Sequence, residues 1–269
     1  MSLKTFTSAN NPRIKAVRDL QANARKRRRL GLFVMEGQRE IAMAINAGYE
    51  IETLFCCPEI GNTFKFRARF PHLTPVWVTR AAFERMVYRE KSDGVLAVAR
   101  VKEHTLNDLH LSDNPLVIVV EAVEKPGNLG AILRTADAAR VDAIVVCEPM
   151  TDVYNPNVVR ASLGCLFSQQ VAVCNSHEAL EWLRAHNLKT YAAELHAPHW
   201  YHKTDLTIPC AIIVGSEADG LTPFWLERAD SRIKIPMGGR VDSLNVSVTT
   251  AILAFEAMRQ RGFCLHNEP

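Results

Sequence analysis

Leu116-Val117-Ile118-Val119-Val120-Glu121-Ala122-Val123 is a nearly unbroken apolar run, followed by Glu124-Lys125-Pro126-Gly127-Asn128 and then a helical pattern reaching Arg140. A short apolar run bounded by turn residues predicts a strand buried on both faces, and such strands belong to parallel sheets covered by helices. Outward from this unit the rhythm repeats. Strands are expected at 143–148, 170–174, 190–195, 210–215 and 232–235, with helices at 129–140, 156–166, 177–186, 223–229 and 246–261. The fold class is therefore α/β with a mostly parallel sheet, in which ligands sit beyond the carboxyl ends of the strands.

Upstream, apolar runs at 32–35, 51–57, 75–79 and 95–100 alternate with helical patterns at 38–47, 62–70 and 81–88, the first of which Gly48 is placed to end. This is a smaller α/β domain. The polar segment 101–114, closed by Pro115, reads as a connector. The expected organisation is a basic arm at 1–30, a small domain at 31–100, a linker at 101–114 and a larger domain at 115–265.

The 269 residues, 48% hydrophobic and 23% charged, match an ordinary soluble protein long enough for two cores. No apolar run approaches the ~18 residues of a membrane helix, and residues 1–11 are too polar for a signal peptide. A cytoplasmic protein without a membrane partner is the expectation. The seven cysteines (56, 57, 147, 165, 174, 210 and 264) are scattered, with no Cys-x-x-Cys pair, and read as buried reduced thiols.

The net charge of +3 hides an asymmetry, because residues 1–30 hold nine Lys and Arg and one acid, Asp19, making that segment +8 and the remainder −5. Arg25, Lys26, Arg27, Arg28 and Arg29 are adjacent, and successive helical residues turn by roughly 100°, so they spread around a helix. A solvated helix accounts for such a run. Mutual repulsion of five like charges also favours a polyanion, and with Arg13 they are candidate contacts to a phosphate backbone.

Three loops lie where a parallel sheet binds ligands: 124–128 with Arg134 beyond it, 215–221, and 235–247. In the last, Gly238-Gly239 permits backbone angles that other residues resist, and Ser243 and Asn245 are helix-capping types. No Gly-x-Gly-x-x-Gly opens a helix and no Lys-Ser/Thr follows the glycines at 215–220, which disfavours a dinucleotide or P-loop site. His196, His199 and His202 near Glu194 invite a zinc reading, but Pro198 interrupts any helix that would align them. A surface loop and no metal is the expectation.

Taken in order, Asn128-Leu129-Gly130-Ala131-Ile132-Leu133-Arg134-Thr135-Ala136, Ile213-Val214-Gly215-Ser216-Glu217 through Gly220-Leu221, and Ile235-Pro236-Met237 through Ser243-Leu244-Asn245-Val246-Ser247 resemble the three motifs of the SpoU/TrmH family of RNA ribose 2′-O-methyltransferases. Residues 32–100 are similar to the ribosomal-protein-like substrate-binding domain that many members carry, with 33–37 and Ser92-Asp93-Gly94-Val95 as landmarks. The resemblance implies a deep trefoil knot in the larger domain and a homodimer. It also implies S-adenosylmethionine bound by Gly215, Ile235 and Leu244, where apolar side chains flank a purine and main-chain groups read its edge.

Methyl transfer requires a ribose hydroxyl to lose its proton, and something must favour the alkoxide. The resemblance assigns this to Arg134. A guanidinium is a cation in ordinary surroundings, so Arg134 is read as electrostatic stabiliser and orienter, with phosphate, water or a transiently neutral Arg134 left as proton acceptor. Asn128 is placed at the loop edge, as a helix cap, an orienter of substrate or Arg134, or both. Glu217 supports the site by binding a partner subunit's arginine or bracing its own loop, and Ser243 and Asn245 are placed facing Arg134. Arg160 and Arg240 flank the site as candidate phosphate contacts. RNA is the expected partner, ribosomal rather than transfer RNA because of the separate small domain. A non-catalytic RNA-binding or ribosome-assembly protein and a different α/β nucleotide enzyme are the alternatives.

Overall fold

The computed structural model describes residues 5–6, 11–88, 92–240 and 242–263. Lys4 and Cys264 lie outside the described residues. Two compact units organise the chain, with boundaries at 103/104, 151/152 and 168/169, and the segment 152–168 belongs with the N-terminal unit.

The first unit begins with β1 (Thr5–Phe6), α1 (Pro12–Ala22) and α2 (Ala24–Leu30), then β2 (Leu32–Glu36), α3 (Gln38–Asn46), β3 (Ile51–Cys56), α4 (Thr63–Arg69), β4 (Pro75–Val78), α5 (Arg80–Phe83) and β5 (Val95–Arg100). Its five-stranded sheet runs β1-β4-β3-β5-β2, with parallel pairs at β4 and antiparallel pairs at β5. Ile14, Val17 and Leu20 fall at three-residue steps on one face of α1 and pack with Val34, Phe55, Val78, Phe83 and Leu96. Gly37, at the start of α3, has no side chain to cap the helix. Asp93 does so from across the sheet, its Oδ2 accepting the Gln38 N–H at 2.7 Å. Gly48 ends α3 as expected, in a left-handed conformation with φ +72°, its N–H reaching the Ile45 carbonyl while the Tyr49 N–H reaches that of Ala44.

Two departures from the sequence pattern have identifiable causes. The pattern at 81–88 is helical only to Phe83, because the Met86 carbonyl accepts from Gln21 Nε2 at 2.6 Å and the Tyr88 N–H donates to Glu36 Oε2 at 3.0 Å. The basic arm is two helices, broken at Asn23, whose extended backbone and side-chain cap to Lys26 N start α2. Within α2 the arginines are not equivalent. Arg27 is 3% exposed, and its guanidinium donates to Asp152 Oδ2 at 2.7 Å and to the Leu20 and Gln21 carbonyls at 2.6 and 3.1 Å. It closes the C-terminal end of α1 and is enclosed by protein acceptors rather than offered to solvent.

The second unit opens with β6 (Leu116–Glu121), α6 (Pro126–Ala138) and β7 (Ala143–Cys147). The chain then supplies α7 (Pro156–Ala161) and α8 (Cys165–Ser168) to the first unit, where sequence predicts one helix at 156–166. Leu163 at φ +52° and Gly164 at φ +92° break that helix, and a Cβ at Gly164 would stand 2.6 Å from Met43 Sδ of α3. The break permits this close approach. Back in the second unit come β8 (Val171–Cys174), α9 (Ser176–Ala185), β9 (Lys189–Ala193), β10 (His199–Trp200), β11 (Cys210–Val214), α10 (Pro223–Arg228), β12 (Ser231–Lys234) and α11 (Val246–Gln260).

Seven strands form one sheet in the order β10-β12-β9-β11-β6-β7-β8, and each neighbouring pair is parallel. Every residue of β6, β7 and β11 is buried, as the unbroken apolar runs require. The two-residue β10 has no counterpart in the apolar pattern. No helix among the described residues is long and apolar enough to cross a membrane.

Removing one partner of a buried ion pair leaves an uncompensated charge, whereas exposed pairs contribute little. Asp152→Ala, which strands Arg27, is expected to cost about 3 kcal/mol in urea unfolding. Glu50→Ala, which removes an ion pair to Arg100 whose partners are 69% and 53% exposed, should cost under about 1 kcal/mol. Equal midpoint shifts would refute this ranking.

Candidate active site

Four segments at the carboxyl ends of β9, β11 and β12 and at the start of α11 enclose a cleft of about 400 Å³. Gly215 to Leu221 form one wall, Ile233 to Ile235 and Met237 a second, Ser243, Leu244 and Val246 a third, and residues 193–196 the fourth. Gly215, Ile235 and Leu244, expected from sequence to act together, line this one cleft, as do Glu217 and Ser243.

The wall at 215–221 depends on a missing side chain. Ser216 and Gly220 exchange backbone hydrogen bonds of 3.0 and 3.2 Å, folding the loop back on itself, and Ser216 Oγ accepts the Asp219 N–H at 3.1 Å. A Cβ at Gly215 would collide with the Gly220 carbonyl group, so only glycine allows this closure. The far end of the loop is pinned by Glu121, which the sequence shows only as the end of an apolar strand. Its carboxylate is 1% exposed; Oε2 accepts the Thr222 N–H at 2.8 Å, while Oε1 accepts from Thr222 Oγ1 at 2.7 Å and from Ser176 Oγ at 3.3 Å.

Asn128 is the third residue of α6 rather than its cap, because Pro126 takes the first helical position and Lys125 precedes it. Its side chain is thereby available to other elements. Asn128 Nδ2 donates to Glu217 Oε1, and Asn128 Oδ1 accepts from Asn245 Nδ2 at 3.2 Å. Asn245 is the cap of α11, as expected, its Oδ1 accepting the Ser247 N–H at 2.9 Å and the Ser247 hydroxyl at 2.6 Å. Residues from the starts of two helices and from the loop after β11 thus form one hydrogen-bonded chain that reaches the cleft at Glu217.

Arg134 lies further along α6, exposed, and among the described residues no hydrogen bond or ion pair engages its side chain. Among the described residues no hydrogen bond joins Ser243 or Asn245 to Arg134, which the sequence reading has them facing. Asn245 is bonded to Asn128 instead, and Ser243 stands exposed on the cleft wall. Glu194 also lines the cleft. One of its carboxylate oxygens accepts the His196 N–H at 2.7 Å, and the other is buried with no hydrogen-bond partner among the described residues. Sequence places Glu194 only beside a histidine cluster. Among the described residues no group of three His, Cys, Asp or Glu is arranged to hold a metal ion.

Of the basic residues expected to meet phosphate, Arg13, Arg25, Arg28 and Arg29 are exposed, Lys26 pairs with Asp19 at 2.5 Å, and Arg27 is buried. Arg160 is exposed on α7 in the first unit, and Arg240 is exposed after the glycine pair without lining the cleft. The described cysteines are free thiols, all buried except the half-buried Cys174. Burial pushes Cys56 up to about 12 and Cys210 up to about 11, so both stay protonated and unreactive near neutrality.

A parallel sheet with a cleft beyond its carboxyl ends defines an α/β ligand-binding domain of the enzyme type, and comparison with known proteins narrows the class. Residues 115–255 match the SpoU rRNA Methylase family, and residues 11–97 match an MRM3-like substrate binding domain. The chain is 36% identical over 188 residues to the 23S rRNA (guanosine-2'-O-)-methyltransferase RlmB of Escherichia coli (strain K12), an alignment covering 66% of this chain and 77% of that protein. Among solved structures, an RNA 2'-O ribose methyltransferase matches with a TM-score of 0.84 at 39% identity, covering 96% of this chain and 99% of its own. The SpoU methyltransferase AviRb from Streptomyces viridochromogenes, in complex with the cofactor AdoMet, matches with a TM-score of 0.86 at 27% identity, covering 93% and 99%. The chain belongs to the SpoU rRNA Methylase family.

Glu121→Ala leaves the Thr222 N–H and hydroxyl without their acceptor, which is expected to cost about 1–3 kcal/mol. Hydrogen exchange should report the loss locally, as faster exchange of the Thr222 amide. An unchanged rate there would show that Glu121 does not hold the loop.

Proposed function

We propose that this protein transfers a methyl group from S-adenosylmethionine to a ribose 2′-hydroxyl of ribosomal RNA. The observation that carries the reading is the convergence of Gly215, Ile235 and Leu244 on one cleft that the Asn245–Asn128–Glu217 chain reaches at Glu217. The cleft suits the cofactor chemically. Its volume is in the range of small-molecule sites, half-buried Ile235 and Leu244 give an apolar surface for a purine, and the loop from Gly215 presents backbone groups to its edge. The buried oxygen of Glu194 that has no partner among the described residues fits as well, because a carboxylate only accepts hydrogen bonds and the cofactor carries ribose hydroxyls and an ammonium group.

Bound there, S-adenosylmethionine supplies an electrophilic sulfonium methyl group. The protein's task is to bring the ribose hydroxyl to it and to favour loss of the hydroxyl proton. Arg134 is suited to this because its guanidinium is engaged by no protein acceptor among the described residues, leaving its donors for a developing alkoxide or a neighbouring phosphate. Asn128 and Asn245 hold the first turns of α6 and α11 in register and orient the substrate, and Glu217 braces the cofactor loop against them.

The same family membership leads us to propose that the C-terminal chain is threaded into a trefoil knot, a topology rare enough that no local pattern predicts it. A cytoplasmic homodimer completes the reading. Val248 and Phe255, 46% and 42% exposed, lie seven residues apart on one face of α11 and offer an apolar surface to a second copy. Arg13, Arg25, Arg28 and Arg29 are proposed to supply sequence-independent affinity for the RNA backbone.

Arg134→Ala should leave S-adenosylmethionine binding intact by calorimetry while slowing single-turnover methyl transfer by roughly 10²–10³. Unchanged transfer would remove Arg134 from the mechanism. Leu244→Asp sets a charge against the apolar wall and should abolish cofactor binding in a protein that still folds by circular dichroism. Retained binding would mean that Leu244 does not touch the cofactor.

A further inference from the structure

The first unit contains a second candidate site, different in kind from the cofactor cleft. A hollow of about 520 Å³ lies between α1 and the turn that follows α5, lined by Arg18, Gln21, Arg85 and Tyr88 among others. Gln21 and Tyr88 also line a tighter hollow whose other wall includes Glu36 and Arg160 of α7. Tyr88 therefore stands between two depressions, with Arg18 and Arg85 on one side and Arg160 on the other. It is 56% exposed, so its ring face is open to a ligand.

The groove is held in shape rather than loose. The Tyr88 N–H donates to Glu36 Oε2 at 3.0 Å and Gln21 Nε2 donates to the Met86 carbonyl at 2.6 Å, fixing the turn to β2 and to α1. The ring is thus presented from an anchored backbone, at little entropic cost to a ligand that stacks on it. Among the described residues no hydrogen bond or ion pair engages the side chains of Arg18, Arg85 or Arg160, and Lys15 extends the positive face of α1 three residues before Arg18.

We infer that this groove binds single-stranded RNA, with a base stacked on Tyr88 and flanking phosphates taken by Arg18 and Arg85 on one side and Arg160 on the other. An aromatic ring between cations fits unstacked nucleotides, because a base in a duplex has no free face to offer and phosphate contacts alone need no aromatic. The choice of RNA as occupant rests on the reading of the protein as an RNA-modifying enzyme. The groove would then select an exposed loop or strand of the substrate, a preference that the basic helix α2 cannot supply because phosphate contacts carry no base information.

The test uses the full chain with a short mixed-sequence single-stranded RNA and the same strand annealed to its complement. Tyr88→Ala should weaken single-strand binding on the order of tenfold, while Tyr88→Phe, which keeps the ring, should bind as the wild type does. Replacing Arg18, Arg85 and Arg160 together by Gln should flatten the slope of log affinity against log salt by about 2, at roughly 0.7 for each phosphate no longer neutralised. Photocrosslinking of 5-iodouridine-substituted RNA should map to Tyr88. Single-strand binding equal in Tyr88→Ala and wild type, an equal loss on the duplex, or an unchanged salt slope would each overturn the assignment. S-adenosylmethionine titrated into the same proteins tests the methyltransferase reading separately, since the groove variants should bind it as the wild type does.

Discussion

One asparagine side chain carries an unusual share of the candidate site's organisation. Asn128 donates to Glu217 and accepts from Asn245, so the start of α6, the loop after β11 and the start of α11 are joined through a single amide. An amide can do this because it offers a donor and an acceptor on adjacent atoms, and the two neighbours need one of each. The carboxylate of Glu217 can only accept, and the Asn245 oxygen is already committed to capping α11 through Ser247. The polarity of the chain is therefore fixed, and an aspartate at 128 would oppose one carboxylate to another.

Around that chain, the cleft is held by constraints of different kinds. Gly215 closes its loop by having no Cβ, a steric matter in which any larger residue collides with backbone. Glu121 closes the other end by hydrogen bonding from a buried position, where an unpaired donor would be expensive. The loop is thus set by the strands beneath it, while Arg134 stays exposed and its donors are not engaged by the described protein.

The first unit shows how composition misleads when read alone. Five adjacent basic residues look equivalent in sequence, yet Arg27 is enclosed by Asp152 and two carbonyls while Arg25, Arg28 and Arg29 face solvent. Helical geometry alone turns one of every few residues inward, but whether an inward arginine is tolerated depends on acceptors brought from elsewhere. Here the carboxylate comes from residue 152, more than a hundred positions away in the chain. Periodicity assigns the segment 152–168 that supplies it to the larger domain, and nothing local marks the unit with which it packs.

The local grammar was legible in the chain alone. Unbroken apolar runs dictate the double-sided burial of β6, β7 and β11, Gly48 marks its helix end, Asn245 its cap, and the three motifs their family, because each of these depends on residues close together in the chain. Which distant groups meet was settled by folding. The bridge from Asn128 to Glu217 and Asn245, the hold of Glu121 on Thr222, the capping of α3 by Asp93, the burial of Arg27 and the exposure of Tyr88 between three arginines all join residues tens to more than a hundred positions apart. Hydrogen bonds and charge pairs act over a few ångströms of space whatever the separation along the chain, so their partners exist only once the sheets have formed.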